Sequence, residues 1–258
     1  MKLTFLGTGT SQGVPVIGCT CTVCTSTDIK NKRLRCAALI EHHDTKFLID
    51  CGPDIRQQLL KSNTSRLDGV VLTHEHYDHI GGLDDLRPII FKQHQPAKIY
   101  AQIDVIQQIK IKYHYAFVAQ SYPGAPKFDL IEAKSGEPFF IHDLKVYPFK
   151  VKHGDLDILG YKFNDHLAYI TDSNGLNETT LHTILKVPVL VINALHQRPH
   201  HSHYTLDQTL SQIQHIQPGT AYLIHMSHYM GLNELVQATL PPNVFLAYDT
   251  LTVEIPAT

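Results

Sequence analysis

The chain has 258 residues, a net charge of −2 with histidine neutral, and ordinary shares of hydrophobic (43%) and charged (18%) residues. This length suits one large globular domain, and we predict a single domain over residues 1–258. The longest apolar runs, such as residues 187–194, are too short for a membrane span, and the charge disfavours a nucleic-acid partner.

The predicted elements begin with a strand over residues 3–6, which ends in a turn of small residues at 7–13. Further short strands, bounded by turn residues, are predicted at 37–41, 46–50, 69–73, 98–101, 144–151, 167–171, 189–193, 221–225 and 244–247. Helical spacing predicts helices at 53–61, 104–112 and 206–215, the last with Thr205 as its N-cap. The alternation indicates a layered α/β protein with mixed sheets, antiparallel over residues 137–171. Residues 83–134 look the least regular and are expected to cover the site.

The cysteine pattern and the first residues indicate a compartment. Cys19, Cys21 and Cys24 crowd into six positions, which does not suit a disulfide framework and indicates bound metal. Cys36 and Cys51 are expected to be core residues. The first residues lack a basic stretch followed by a long apolar one, so no secretory signal is predicted. We therefore expect a cytoplasmic protein without a membrane partner.

A cluster of metal-ligand residue types follows the predicted strand at 69–73. The segment reads His74-Glu75-His76-Tyr77-Asp78-His79. Imidazole nitrogens and carboxylate oxygens hold Zn²⁺, Mn²⁺ or iron while leaving coordination positions for water. His74 and His76 alternate on one side of an extended segment, and the last two donors lie beyond the bend, within reach of a second ion. A polar turn that contains histidines by chance is the alternative, which the clustering of four donors disfavours.

This His-x-His-x-Asp-His motif resembles the signature of the metallo-β-lactamase superfamily, whose fold is a four-layer αβ/βα sandwich with metals at the edge between two mixed sheets. The resemblance implies further ligands after later strands, and the matching residues are His153, Asp172 and His225. It implies that one metal is held by His74, His76 and His153. It implies that a second is held by Asp78, His79 and His225, with Asp172 bridging the two. It also identifies Asp50 as a buried carboxylate that hydrogen-bonds metal ligands.

The cysteine cluster narrows the resemblance. Three thiolates on one short loop suit a closed tetrahedral Zn²⁺ site that needs a fourth ligand, and His228 is the nearby candidate. The opening Gly-Thr-Gly-Thr-Ser-x-Gly-Val-Pro together with Cys-x-Cys-x-x-Cys resembles the PhnP-type phosphodiesterases. That branch implies hydrolysis of a small cyclic phosphodiester, such as a ribose 1,2-cyclic phosphate, by a metal-activated hydroxide. It also implies two catalytic ions, Mn²⁺ or Zn²⁺ with iron as a further option, one structural Zn²⁺, and a homodimer.

A histidine-rich stretch at residues 193–203 resembles the segment that precedes a helix in this branch. His203 is the candidate for contacting the phosphate and protonating the leaving oxygen, and His200 is its rival. Asp78, already a predicted ligand, completes the predicted catalytic set. His196 stands where the branch has an arginine, so the substrate contacts are expected to differ. A solvated loop is the alternative reading of this stretch.

Three alternative functions stay open at this point. An RNase Z-like nuclease shares the ligands and the reaction type, although the chain shows no Gly- and Lys-rich insertion and no basic excess. A thioester or lactone hydrolase of the same fold would direct its metals against a carbonyl. A PqqB-like, non-catalytic accessory protein would have an incomplete metal pair, whereas this sequence keeps every ligand.

Overall fold

The computed structural model describes residues 1–118 and 122–255. The strands in this part are β1 Lys2–Gly7, β2 Ala37–His42, β3 Thr45–Ile49, β4 Gly69–Val71, β5 Ala97–Ala101, β6 Phe128–Glu132, β7 Phe139–Ile141, β8 Leu144–His153, β9 Leu156–Phe163, β10 Leu167–Tyr169, β11 Val189–Asn193, β12 Thr220–Ile224, β13 Val244–Leu246 and β14 Thr252–Glu254. The α-helices are α1 Thr22–Thr25, α2 Ile55–Lys61, α3 Tyr77–Ile80, α4 Arg87–Gln93, α5 Ile103–Lys112, α6 Glu178–Ile184, α7 Leu206–Ile216 and α8 Asn233–Gln237. None of the helices in these two ranges is long and apolar enough to cross a bilayer.

The described strands form two mixed sheets of seven strands each. The first has the order β14-β1-β2-β3-β4-β5-β6, antiparallel up to β3 and parallel from β3 onward. The second has the order β13-β12-β11-β10-β9-β8-β7, with β7 to β10 antiparallel and β10 to β13 parallel. Each sheet thus combines an antiparallel half with a parallel half, as the sequence predicts.

Apolar side chains divide the molecule into layers. A core between the sheets contains Phe47 and Phe163, whose ring centroids lie 5.3 Å apart. A second core packs the first sheet against α2, α4 and α5, and a third packs the other sheet against α6, α7 and α8. Because each sheet is apolar on both faces, it is covered by helices outside and by the other sheet inside. The architecture is the predicted four-layer αβ/βα sandwich.

Helix α7 begins where the sequence places its N-cap. The Thr205 hydroxyl accepts the backbone N–H of Gln208 at 3.2 Å, and the Gln208 side chain accepts the backbone N–H of Thr205 at 2.9 Å. This reciprocal pair satisfies two donors that would otherwise have no partner at the helix start. The capping box therefore fixes the point at which the histidine-rich stretch ends.

The prediction that residues 83–134 are the least regular part is wrong. The segment contains α4, β5, α5 and β6, with residues 119–121 outside the described part of the chain. Strand β6 was not predicted from the sequence. It is an edge strand with exposed acidic residues, and these interrupt the apolar pattern by which strands are predicted. The end of α5 lies against the metal-ligand motif, since Lys112 Nζ donates to the Glu75 carbonyl at 2.7 Å.

Candidate functional site

The predicted metal ligands lie together where strands of the two sheets end. The segment after β4 of the first sheet carries His74, His76, Asp78 and His79, and the other donors come from the second sheet. His153 is the last residue of β8, Asp172 lies three residues beyond β10, and His225 directly follows β12. The fold thus brings residues separated by about 150 positions in the chain to one edge of the sandwich.

The first donor set consists of His74, His76 and His153. The Nε2 of His74 lies 3.0 Å from the Nδ1 of His76, and the Nε2 of His153 lies 3.3 Å from the same atom. Ligand atoms about 2.0–2.1 Å from a tetrahedral Zn²⁺ are roughly 3.4 Å from one another. The three nitrogens therefore have the spacing of ligands to one divalent ion.

The second donor set consists of Asp78, His79, Asp172 and His225. His79 Nε2 lies 3.2 Å from an oxygen of Asp78 and 3.3 Å from Oδ2 of Asp172. His225 Nε2 lies 3.1 Å from the other oxygen of Asp172. The Asp172 carboxylate also lies within 4.8 Å of the donor atom of His153, which belongs to the first set. Asp172 is therefore placed between the two sets, as a bridging ligand must be.

Hydrogen bonds on the far side of the rings set their orientation. Asp50, fully buried, accepts the Nδ1–H of His79 at 2.7 Å and the backbone N–H of Thr73 at 2.8 Å. The Thr73 hydroxyl donates to the same carboxylate and lies 3.0 Å from Nδ1 of His74. Both imidazoles are held so that Nε2 faces the centre. Asp50 thus makes the hydrogen bond to a predicted ligand that its predicted role requires.

Buried nitrogens at the centre contact carboxylates but form no hydrogen bond with good geometry. The Nε2 atoms of His79 and His225 are buried, and no described residue offers them a hydrogen bond. Burial by itself would raise the pKa of Asp172, but the neighbouring His225 and His79 hold it well below its usual range. Unpaired buried nitrogen beside ionised carboxylate is costly in a protein interior. A divalent cation would satisfy all of these atoms at once, so the residues present fit a metal pair.

Three of these residues have a left-handed backbone. The φ angles are 62° for Asp50, 56° for Asp172 and 58° for His225. Each residue follows a strand, and the turn swings its side chain to the sheet edge. Asp and His adopt this conformation more readily than most residues, and ordinary turns of the described chain, such as those at Asn63 and Gln217, share it. The left-handed turn sets the direction in which each of these three side chains leaves its strand.

The cysteine cluster forms a separate group of donors. The Nδ1 of His228 lies 3.3 Å from Sγ of Cys19 and 3.4 Å from Sγ of both Cys21 and Cys24. A hydrogen bond from the Cys24 backbone lowers the pKa of Cys21 to about 6, whereas burial raises the pKa of Cys24 to about 11. Three sulfurs and one imidazole nitrogen are the donors of closed Zn²⁺ sites, and a bound cation would stabilise the thiolate form of the cysteines. The four donors are arranged as a closed tetrahedral site requires.

The structure separates the two histidines proposed to contact substrate. His203 lies beside the donors, with its Nδ1 3.8 Å from Asp172 and its ring 4.9 Å from that of His225. Burial lowers the pKa of His203 to about 2, so its ring is neutral. His200 is exposed and lies one ring farther out, 5.0 Å from His203. His203 is therefore the nearer of the two to the centre.

Sequence reasoning did not find two groups that support the donors. Thr73 joins Asp50 to His74, as described above, and the carbonyl of Ser202 accepts the Nδ1–H of His153 at 3.0 Å. A backbone carbonyl carries no side-chain signal, so no sequence pattern marks Ser202. A further group, His42, His43 and Asp143, meets on the surface between two hairpin turns and was also not predicted.

Comparisons with known proteins identify the family to which this fold belongs. The Beta-lactamase superfamily domain family matches residues 45–226. The crystal structure of a new diphosphatase from the PhnP family superposes with a TM-score of 0.91 and 33% identity, covering 98% of this chain and 96% of that one.

Two curated relatives are longer than this chain. An octanoyltransferase of Porphyromonas gingivalis is 42% identical over 253 residues, which is 97% of this chain and 51% of the relative. A ribonuclease BN of Escherichia coli O1:K1 / APEC is 28% identical over 177 residues, which is 64% of this chain and 50% of the relative. The matched region thus spans about half the length of each of these curated relatives. Taken with the domain match and the PhnP-family structure, the chain belongs to the metallo-β-lactamase superfamily and is a PhnP-type member of it.

Proposed function

We propose that the chain is a dinuclear, metal-dependent phosphodiesterase that hydrolyses a small phosphodiester, such as a ribose 1,2-cyclic phosphate. The observation that carries this proposal is the place of Asp172 between two donor sets, with ligand atoms 3.0–3.3 Å apart in the first set. The PhnP-family diphosphatase, at 33% identity, supports chemistry at phosphorus. Nitrogen and carboxylate donors together suit Zn²⁺, Mn²⁺ or iron.

The roles of the residues follow from their places. His74, His76 and His153 would hold one ion, and Asp78, His79 and His225 the other, with Asp172 shared. Two ions bound in this way lower the pKa of a water and neutralise charge that develops on phosphoryl oxygens. Asp50 keeps His79 turned toward the centre through its 2.7 Å hydrogen bond. The side chains are thus oriented before substrate binds, which lowers the free energy of activation.

We assign to His203 the contact with the phosphate group of the substrate. Its neutral ring, 3.8 Å from Asp172, can donate a hydrogen bond to a phosphoryl oxygen without adding charge to the free site. An anionic substrate beside the ring favours its protonated form, which raises its pKa toward the range in which it can protonate a leaving oxygen. Asp78 would act as a ligand of the second ion. His200, one ring outward, is placed for contact with the rest of the substrate.

We also propose that Cys19, Cys21, Cys24 and His228 hold one structural Zn²⁺. Sulfur and nitrogen about 2.3 Å and 2.0–2.1 Å from a tetrahedral Zn²⁺ lie roughly 3.5 Å apart, close to the observed 3.3–3.4 Å. A cytoplasmic location, a small-molecule partner and a homodimeric state remain part of the proposal. Five unpaired cysteines support the reducing compartment.

The alternatives differ in what they require of the site. A non-catalytic accessory protein would have an incomplete metal pair, whereas here both donor sets are assembled. A nuclease is favoured by the 28% identity to ribonuclease BN but opposed by the net charge of −2. The relative named octanoyltransferase suggests thioester hydrolysis as an alternative. That protein is about twice as long as the matched region.

The test pairs metal analysis with an assay panel. The full chain would be loaded with Mn²⁺ or Zn²⁺ and offered bis(4-nitrophenyl) phosphate, ribose 1,2-cyclic phosphate, a diphosphodiester, an octanoyl thioester and a tRNA precursor. We expect turnover of the small phosphodiesters, with three metal ions per chain. His43→Ala, in the surface histidine group, is the matched control for loss of an imidazole and is expected to keep full activity. Fully loaded protein that cleaves only the thioester or only the tRNA precursor contradicts the proposal.

A further inference from the structure

Two hairpin turns from different sheets meet at the end of the sandwich away from the metal donors. The turn between β2 and β3 of the first sheet carries His43, and the turn between β7 and β8 of the second sheet carries Asp143. Each turn has only two residues between its paired strands. Strand β8 leads from this end to His153, and ten extended residues span about 30 Å. The group at the turns is therefore separate from the donors described above.

Three donors of metal-ligand type meet between these turns. Nδ1 of His43 lies 2.6 Å from Oδ2 of Asp143, and Nε2 of His42 lies 3.7 Å from the same oxygen. The two imidazole rings lie side by side, with their centroids 4.1 Å apart. Ligand atoms of one tetrahedral Zn²⁺ are roughly 3.4 Å from one another. An ion at this place would therefore require donor shifts of less than about 1 Å.

The protonation of these donors suits a cation. The hydrogen bond from His43 lowers the pKa of Asp143, so the carboxylate is ionised. Burial lowers the pKa of His42, so its ring is neutral. No described residue offers a hydrogen bond to the buried Nδ1 of His42. No contact of Nδ1 therefore forces the hydrogen onto Nε2, and Nε2 can present its lone pair to an ion.

The exposure of the donors leaves room for an ion. The side chains of His43 and Asp143 are 72% and 54% exposed, whereas that of His42 is only 14% exposed. Two donors can thus move apart around the ion while packing holds the third. Binding replaces the 2.6 Å hydrogen bond, and the hydrogen of the neutral His43 ring then resides on Nε2. Three donors leave coordination positions for water, so this ion binds more weakly than one in a closed site and exchanges in solution.

We propose that His42, His43 and Asp143 bind one divalent transition-metal ion, Zn²⁺ in preference to Mg²⁺ or Ca²⁺, at a site remote from the catalytic centre. Two imidazoles and one carboxylate select this class of ion, since Mg²⁺ and Ca²⁺ prefer oxygen ligands throughout. The ion joins a turn of the first sheet to a turn of the second. Because only the folded chain brings the two turns together, the ion stabilises the fold. It is additional to the tightly bound ions of the proposed function, and the inference does not depend on that function.

Equilibrium dialysis against Zn²⁺ tests the site. The full chain, with its tight sites loaded and excess metal removed, is dialysed against a series of micromolar Zn²⁺ concentrations, and bound metal is measured by inductively coupled plasma mass spectrometry. We expect one further ion to bind saturably, without competition from excess Mg²⁺. In His43→Gln and in Asp143→Asn, the affinity for this ion should fall by at least about tenfold, because losing a ligand costs no less than losing an outer partner. Both substitutions are at exposed side chains, so folding should be unaffected.

His182→Gln is the matched control, because it removes an exposed imidazole from α6 and should leave the further ion in place. Thermal melting with saturating Zn²⁺ is a second readout. Tm should rise by at least about 2 °C in the unsubstituted chain and in the control, but not in His43→Gln or Asp143→Asn. Failure to bind a further ion overturns the proposal, as does equal binding of that ion by His43→Gln and Asp143→Asn. Since the readout is a difference between variants, it holds whether or not any phosphodiester is cleaved.

Discussion

Asp50 and His79 are fully buried, and the Nδ1–H of His79 donates a 2.7 Å hydrogen bond to the Asp50 carboxylate. This bond keeps Nε2 of His79 facing the carboxylates of the second donor set. In Asp50→Ala the imidazole loses its fixed orientation. We expect metal affinity and phosphodiesterase activity to fall by roughly 10- to 100-fold, the usual effect of losing such a partner.

Metal titration followed by inductively coupled plasma mass spectrometry checks this expectation. Asp143→Ala is the matched control, since Asp143 makes a similar 2.6 Å contact with His43 on the surface. That variant should bind the catalytic ions as the unsubstituted chain does. Normal ion affinity in folded Asp50→Ala would show that Asp50 does not orient a ligand.

Asp172 is the donor shared by both sets, and Asp172→Ala tests the bridge. Its removal leaves each ion without one anionic ligand and takes away several kcal/mol of charge stabilisation. We expect the turnover rate to fall by at least about a thousandfold. The readout is 4-nitrophenolate release by protein whose circular dichroism and metal content are recorded in parallel. A variant that binds two ions and retains a tenth of the activity contradicts the bridging role.

Cys21 tests the separate role of the cysteine cluster. Cys21→Ala removes one of four donors, and we expect the loss of one Zn²⁺ per chain. We also expect Tm to fall by at least about 5 °C, which corresponds to about 2 kcal/mol of lost unfolding free energy for a chain of this size. The loss should appear mainly in stability. Cys51→Ala, in the core beneath the site, removes a thiol without touching the cluster and should keep the zinc. An equal loss of chemistry in a fully folded Cys21→Ala variant contradicts a structural role.

His203 gives the metal-free protein a specific pH dependence. Its pKa is about 2 in the folded state, well below the 6.5 of an unfolded chain, because the ring is buried. Between these values the unfolded state binds one proton more, so stability falls as the pH falls below 6.5. In His203→Gln, the slope of unfolding free energy against pH should decrease by about 1.4 kcal/mol per pH unit below pH 6.

Urea unfolding at several pH values in the presence of a chelator gives these slopes. The exposed His201→Gln variant controls for the substitution itself, since it removes a neighbouring histidine of the same stretch. Parallel slopes for His203→Gln and the unsubstituted chain would mean that the His203 ring titrates in the folded protein.

Much of the site follows from the sequence because its donors directly follow buried strands. The spacing of His74, His76 and His79 after an apolar run predicts them as ligands. The resemblance to the superfamily, which implies ligands after later strands, predicts His153 and His225. Alternating or β-branched runs predicted most strands to within one or two residues. The fold confirmed the layers, while the domain boundary remains a prediction. Edge strands such as β14 were missed because they are largely exposed and lack an apolar face.

The remaining features depend on contacts between distant segments. The Arg198 guanidinium lies 4.9 Å from the centroid of the Tyr229 ring, and the packing of two loops decides this approach. No spacing in either loop predicts it. The left-handed backbone of Asp172 is equally hidden, because aspartate occurs in every kind of turn. The sequence therefore predicts which residues are metal ligands. Tertiary structure decides the orientation of their side chains.

The two groups of donors also differ in what holds them in place. The catalytic donors stand at the ends of hydrogen-bonded strands in buried cores, so their geometry exists before any ion arrives. Cys19 and Cys21 lie on an open loop beside a helix of four residues, with a small apolar cluster beneath. On the proposed assignment, we expect catalytic ions to exchange in the folded protein, and we expect the Zn²⁺ of the cysteine loop to be acquired as that loop folds. Reconstitution after complete chelation should therefore proceed in two phases, with the cysteine loop setting the slower one.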